Sequence, residues 1–219
     1  KVFGAVFTRG GSKTLPNKNL RTVGGVSLLG RAISLGKELP MIDQMLLSSD
    51  SKEIAAEAKR FGATIPFLRP PGLSADETPE WKAWQHLAAY LLEQGASPSD
   101  VLISLPATAP LRLGEDVENA FAEFMRGSFD LVLSVTTAHR SPWFNMVTRD
   151  ITGEVKVVID TDAVVVTRRQ DAPEVFSITT VCYVTTLGYV ASGEGLFSGT
   201  VGSTIVPVER SIDIDTQLD

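Results

Sequence analysis

At 219 residues the chain can bury one substantial hydrophobic core, and its length alone permits one or two domains. A net charge of −6 excludes the broad basic footprint of a nucleic-acid-binding protein, although a few local cations can still hold a nucleotide. A single cysteine, Cys182, excludes an internal disulfide, and no apolar run reaches the roughly 18 residues of a membrane helix. With no signal-peptide pattern either, a cytoplasmic protein without nucleic-acid or membrane partners is expected. Lys1 rather than Met opens the sequence, so a few residues are expected to precede it.

Val2 to Phe7 are apolar or Gly and rich in β-branched and aromatic types, which predicts the buried first strand of a parallel sheet. Thr8-Arg9-Gly10-Gly11-Ser12-Lys13 follows at once, then Pro16-Asn17-Lys18-Asn19. A Gly-Gly pair lets the backbone pass close to a ligand and turn its N–H groups toward an anion. Arg9, Lys13 and Lys18 add cationic side chains, a combination suited to a polyphosphate. The string is not a Walker A loop: Ser12 separates Gly11 from Lys13, and Leu15-Pro16 stands where the helix should begin. The dinucleotide G-x-G-x-x-G is absent as well.

Apolar spacing predicts a helix over residues 27–39 and a short strand over 45–49. Asp50 with Glu53 reads as a capping box for a helix over 51–61, which Gly62 would stop, and 64–68 reads as a third strand. This alternation predicts a doubly wound, mostly parallel α/β sheet whose ligand crevice lies at the carboxyl ends of its strands. Arg69-Pro70-Pro71-Gly72 is then a rigid exit loop, and Arg69 reads either as a phosphate or base contact or as a surface ion pair. The helix expected over 79–93 carries Trp81, Trp84, Leu87, Ala88 and Leu91 as a core-facing stripe, and His86 stands there without a second metal ligand. Residues 101–105 predict a fourth strand, and Pro106-Ala107-Thr108-Ala109-Pro110-Leu111-Arg112 its exit loop, with Arg112 anchoring the loop or touching substrate.

A helix over 115–126 and a strand over 131–136 continue the pattern, which then changes. Short β-like pieces at 155–159 and 163–167 alternate with Thr152-Gly153 and Asp160-Thr161-Asp162, as hairpins do. Strands over 181–185 and 204–208 return to the main pattern, with Cys182 a small buried residue. Near the end, Asp213 and Asp215 alternate with Ile212 and Ile214. In extended backbone, residues i and i+2 face the same way about 6.5–7 Å apart, so the isoleucines would enter the core while both carboxylates face the crevice. Two hard oxygen ligands there suit Mg²⁺, with substrate phosphates completing its shell.

Three runs together, Arg9-Gly10-Gly11-Ser12-Lys13, Pro16-x-Lys18-Asn19-Leu20 and Gly24-Gly25-x-x-Leu28-Leu29, resemble the acylneuraminate cytidylyltransferase family, and the likeness recurs along most of the chain. The resemblance implies a Rossmann-like nucleotide-binding architecture: a single cytidylyltransferase domain over 1–219, with 139–175 as a small β-rich dimerisation arm. It implies transfer of CMP from CTP to an acidic 2-keto sugar. The phosphates of CTP would lie over Gly10, Gly11, Ser12 and Lys13 with Asn19 nearby, and Arg9 and Lys18 would be the catalytic cations. Arg69, with Ala75-Asp76-Glu77-Thr78, would contact the nucleotide, and Thr108 the substrate. Arg169, within Arg169-Gln170-Asp171-Ala172-Pro173, would reach the sugar carboxylate bound by the partner of a homodimer. Asp213-Ile214-Asp215-Thr216 matches the family's metal motif. Three positions depart from it: Pro106 where a Gln is frequent, Phe144 where a Lys is frequent, and Thr179-Thr180 in place of Asn-Gly. These changes leave the sugar's identity open. The residues alone also leave open a nucleotidyltransferase for another base or a sugar phosphate, or a non-catalytic nucleotide-binding module.

Overall fold

Strand β1 (Val2–Phe7) divides the core in two. Phe3, Ala5 and Phe7 bury in one layer and Val6 in the other, as the period of a strand requires. The computed structural model that shows this describes the chain apart from Ser12, Lys13, Asp76 and residues 160–167, and apart from the side chain of Arg169.

After β1 comes a two-residue hairpin, β2 (Thr22–Val23) with β3 (Val26–Ser27). Its turn places Gly24 at φ 59° and Gly25 at φ 81°, the left-handed pair that such a turn needs and that glycine adopts without strain. Ser27 then caps α1 (Leu28–Glu38), its Oγ accepting from the Gly30 N–H. Strand β4 (Gln44–Ser48) pairs parallel to β1. The cap of α2 (Lys52–Arg60) is Ser51, whose Oγ accepts from the Ile54 N–H, and not Asp50 as the sequence suggests. Asp50 has another partner, described below.

The strand expected over 64–68 does not form. That segment runs beside β4 with only two isolated bridges, Leu46 to Thr64 and Ser49 to Leu68. Pro66 lies between them and has no N–H to donate, which keeps the ladder from closing. Helix α3 (Glu80–Glu93) buries the predicted stripe of Trp81, Trp84, Leu87, Ala88 and Leu91. Then follow β5 (Val101–Ser104), α4 (Gly114–Met125) and β6 (Leu131–Thr137). Strands β7 (Val147–Arg149) and β8 (Val155–Val157) form a separate antiparallel hairpin. Strand β9 (Phe176–Thr186), the short α5 (Leu187–Ser192) and β10 (Val201–Ile205) complete the elements.

The six-stranded sheet has the order β10-β6-β9-β5-β1-β4. Strands β4, β1 and β5 are mutually parallel, β10 is parallel to β6, and β9 runs antiparallel to β5. Helices α1, α2 and α4 cover one face and α3 and α5 the other, each with its own buried apolar cluster. The architecture is therefore the doubly wound, mostly parallel α/β sheet that the alternation predicts. The turn chemistry between 139 and 173 hides the length of β9, and α5 is too short to show a helical period.

By contacts the chain divides into two units, Lys1–Val135 with Ile178–Asp219, and Thr136–Ser177. In the smaller unit, Asp150 closes the β7–β8 turn by accepting from the N–H groups of Thr152 and Glu154. The strand expected over 155–159 is realised as β8. The one expected over 163–167, and the turn at Asp160 and Asp162, lie outside the described residues. Among the described residues no helix is long and apolar enough to cross a membrane.

Candidate active site

Four segments of the larger unit converge at the carboxyl end of β1. The first is the exit of β1 itself, where the Thr8 N–H donates to the Ser48 carbonyl and so extends the parallel register beyond both strands. Asp50, just past β4, accepts from the Gly10 N–H at 2.9 Å. This corrects the reading of the glycine turn: the Gly10 amide already has a carboxylate partner and is not turned toward an external anion. A Cβ at Gly10 would approach Ser51 Cβ at 3.2 Å, so the absence of a side chain there serves close packing on the start of α2. At Gly11 a Cβ would meet nothing within 4 Å. Ser12 and Lys13, both expected at the phosphates, lie outside the described residues.

Of the two readings of Arg69, the structure excludes the surface ion pair. Arg69 is buried, and its guanidinium donates to the Thr8 carbonyl (2.7 Å), the Ser48 carbonyl (3.2 Å) and Ser74 Oγ (2.9 Å). It therefore clamps the exits of β1 and β4 to the loop at 74 and is not a surface ion pair.

The second segment carries Lys18. Asn17, at φ 55°, begins a single 3₁₀ turn over Lys18–Leu20. Asn19, within that turn, is buried and its Nδ2 donates to the Arg9 carbonyl at 3.4 Å. The third segment is the exit loop of β5. Here Arg112 is a loop anchor: it is buried, donating to the Val181 carbonyl at 2.7 Å and to the Pro106 carbonyl at 2.6 Å. Burial lowers its pKa to about 10, still charged at neutral pH. The loop thus fixed presents Thr108.

The fourth segment is the chain end. Arg210 ties it to α4 through Asp116 (2.9 Å) and Glu115 (2.8 Å), and the Ile214 N–H donates to the Thr108 carbonyl at 2.9 Å. Residues 211–215 form no strand, and the expected alternation is only half realised. Ile214 packs on the core, whereas Ile212 is 40% exposed. Both carboxylates nevertheless face the same space.

That space is a cavity of about 650 Å³. Arg9, Lys18, Asn19, Thr108, Asp213 and Asp215, six of the residues singled out in the sequence, line it together. Gly10, Gly11 and Arg69 do not, and Arg169 belongs to the smaller unit with its side chain outside the described residues. Lys18 Nζ donates to Asp215 Oδ1 at 2.8 Å, and Thr14 Oγ1 to the Asp215 carbonyl at 2.9 Å. Asp213 Oδ1 is buried with no hydrogen-bond partner among the described residues, an arrangement that a bound cation or a donor would satisfy. Among the described residues no group of three or more His, Cys, Asp or Glu forms a metal cage. A metal held here would have two protein carboxylates and would need other oxygens, as Mg²⁺ with substrate phosphates does.

The opposite wall was not legible in the sequence. It holds Glu80, Trp81 and Trp84 from the start of α3, with Tyr183 and Thr180 from β9. Glu80 opens onto the cavity, yet the protein around it desolvates its carboxyl and raises its pKa, against the opposing effects of the Trp84 indole N–H (3.0 Å) and the Arg69 charge. Burial pushes the Tyr183 hydroxyl up to about 12, and the negative charges of Glu80 and Asp213 add to the effect. The Thr8 and Thr180 hydroxyls on the same lining are buried without partners among the described residues. A smaller cavity of about 260 Å³ adjoins, sharing Phe7, Thr8, Arg9 and Glu80, and is lined further by Arg69, Ser74 and Thr78.

Cations from two segments, carboxylates from the chain end and a pocket at the strand ends make a candidate nucleotide site in the position that open α/β sheets provide. Residues 4–185 match the model of the cytidylyltransferase family. The chain belongs to that family. Over its whole length it is 26% identical to the post-translational flagellin modification protein B of Campylobacter coli, covering 92% of that protein. Likewise it is 27% identical over its whole length to the CMP-N,N'-diacetyllegionaminic acid synthase of Campylobacter jejuni, again covering 92%. It is 32% identical to the pseudaminic acid cytidylyltransferase of C. jejuni, over 58% of this chain and 55% of that one. Among solved structures, a CMP:2-keto-3-deoxy-manno-octonic acid synthetase complexed with CTP superposes with a TM-score of 0.72 at 12% identity, covering all of this chain and 94% of that one. A 4-diphosphocytidyl-2C-methyl-D-erythritol synthase does so with a TM-score of 0.69 at 11% identity, covering 100% and 95%. These two likenesses are of fold. The family membership makes the chain a cytidylyltransferase-type enzyme.

Proposed function

We propose that the enzyme transfers CMP from CTP to the anomeric hydroxyl of an acidic 2-keto sugar of the nonulosonate or octulosonate class, releasing pyrophosphate. The observation that carries this reading is the pairing across one cavity of a cationic loop with two carboxylates, one of them holding a buried oxygen without a partner. The names of the diacetyllegionaminic acid synthase and of the pseudaminic acid enzyme support an acidic nine-carbon acceptor.

In this reading Arg9 and Lys18 hold the phosphates of CTP, joined by Ser12 and Lys13, and Thr108 lies on the acceptor side. Asp213 and Asp215 are the residues that would hold Mg²⁺, which would offset phosphate charge and orient the α-phosphate. Without ligands Lys18 and Asp215 neutralise each other at 2.8 Å. Nucleotide binding would exchange that contact, freeing the Lys18 ammonium for the α-phosphate, where negative charge grows as the sugar oxygen attacks in line. The protein's work is then positioning and charge stabilisation. The reading extends to a homodimer in which 139–175 is the arm and Arg169 reaches the carboxylate of the partner's sugar, and to a cytoplasmic setting.

The test is pyrophosphate release with Mg²⁺, each nucleoside triphosphate in turn, and a panel containing diacetyllegionaminic, pseudaminic, N-acetylneuraminic and 2-keto-3-deoxy-octonic acids. Release with CTP and one or two of these sugars is expected. Release with none, or with a sugar phosphate instead, would overturn the reading.

A further inference from the structure

Resting on the reading above, the structure offers a residue for choosing the nucleotide's base. If the triphosphate lies in the larger cavity, over Arg9 and Lys18, the base needs a place within reach but away from the carboxylates. The smaller cavity is that place. It opens beside Arg9, shares a wall with the larger one, and at about 260 Å³ takes a pyrimidine ring with room for water. Glu80 stands on the shared wall and faces both spaces.

Its carboxylate is held in one orientation. The Trp84 indole N–H, one helical turn along α3, donates to Glu80 Oε1 at 3.0 Å, and the Trp84 ring is buried against Phe7 and Tyr183. The second oxygen has no hydrogen-bond partner among the described residues. An ionised carboxylate accepts hydrogen bonds only, so toward a base it favours an exocyclic amine and repels a carbonyl oxygen. Cytosine and uracil differ at that position: a 4-amino group in one, a 4-keto oxygen in the other.

We propose that Glu80 selects cytosine over uracil by accepting a hydrogen bond from the 4-amino group of the base in the smaller cavity. The desolvation that now raises the carboxyl's pKa is a cost that such a donor would offset. The Trp84 hydrogen bond and the Arg69 charge act in the opposite direction, toward the ionised form.

The experiment measures dissociation constants of CTP and UTP with Mg²⁺ and no acceptor, by quenching of tryptophan fluorescence and by calorimetry. It compares the full chain with its E80Q and E80A variants. The wild type should prefer CTP by about tenfold or more, the scale of one hydrogen bond to a charged group. In E80Q the Trp84 N–H should hold the amide oxygen and leave the amide N–H₂ toward the base. The preference should then collapse or invert toward UTP, whereas E80A should lose it without gaining UTP affinity. Retention of the wild-type ratio in both variants overturns the proposal while leaving the functional reading intact. A wild type that binds neither nucleotide overturns the reading itself and the proposal with it.

Discussion

Replacing Lys18 with Ala separates a catalytic role from a structural one. In the structure the Lys18 ammonium meets Asp215 at 2.8 Å, with the Asp215 side chain 64% exposed. An ion pair that open to solvent contributes on the order of 0–1 kcal/mol. Its loss should therefore lower Tm by no more than about 4 °C in a chain of this size. Removal of a cation that meets charge developing on a phosphate should cost far more in rate, by analogy with a lost oxyanion donor about 2.7–4 kcal/mol, or 10²- to 10³-fold in kcat. The assay pairs pyrophosphate release under saturating CTP and acceptor with a thermal melt. A Lys18→Ala protein that melts like the wild type and turns over at least a hundredfold more slowly fits the argument. Near-normal turnover would refute the role of Lys18, and a collapse of Tm would show that the Asp215 contact holds the chain end in place.

Three further outcomes are expected. Asp213→Asn should weaken Mg²⁺-dependent CTP binding by about tenfold or more in calorimetry, with less effect on CTP binding measured in EDTA, because it removes one of the two chain-end carboxylates that face the cavity beside Lys18. Arg112→Met should destabilise the fold by roughly 2–4 kcal/mol in urea denaturation, since it leaves the buried carbonyls of Val181 and Pro106 without their donor. For Glu80 the folded pKa lies above the unfolded one, so its contribution to stability is full below the unfolded value near 4.5 and is lost as pH rises through the raised value. Melts of wild type and Glu80→Gln should accordingly shift relative to each other in favour of the variant as pH is raised from 4.5 to 8; a constant difference would contradict the raised pKa.

The fold was legible wherever a residue pattern had one physical meaning. The continuous apolar run of β1 and the 3.6-residue stripe of α3 each allow one local structure, and each is found. The misreadings fall where two chemistries compete for one residue. Asp50 carries the signature of a cap, but Ser51 caps equally well, and long-range packing leaves Asp50 for the Gly10 amide. Residues 64–68 have strand composition, and Pro66 alone decides against a ladder. Neither outcome follows from spacing, because each depends on what the fold brings alongside.

The same distinction runs through the site. Arg9 and Thr108 could be placed on the cavity because each lies in the exit loop of a strand, where the crevice of an open sheet must be, and Lys18, Asp213 and Asp215 because their charges stand out in the sequence. Glu80 could not, since on the sequence it is one acidic residue opening a helix, a place where carboxylates favour the helix dipole with no further role. Arg69 follows the bridged segment beside β4, yet its guanidinium reaches inward to the carbonyls of Thr8 and Ser48. A planar fork that spans two strand ends holds the floor of the crevice at a fixed width, and with it the distance between the phosphate loop and whatever occupies the smaller cavity. Replacing Arg69 by Lys, which keeps the charge but loses the fork, should therefore loosen that frame as much as removing the charge would, seen as similar losses of Tm in Arg69→Lys and Arg69→Met.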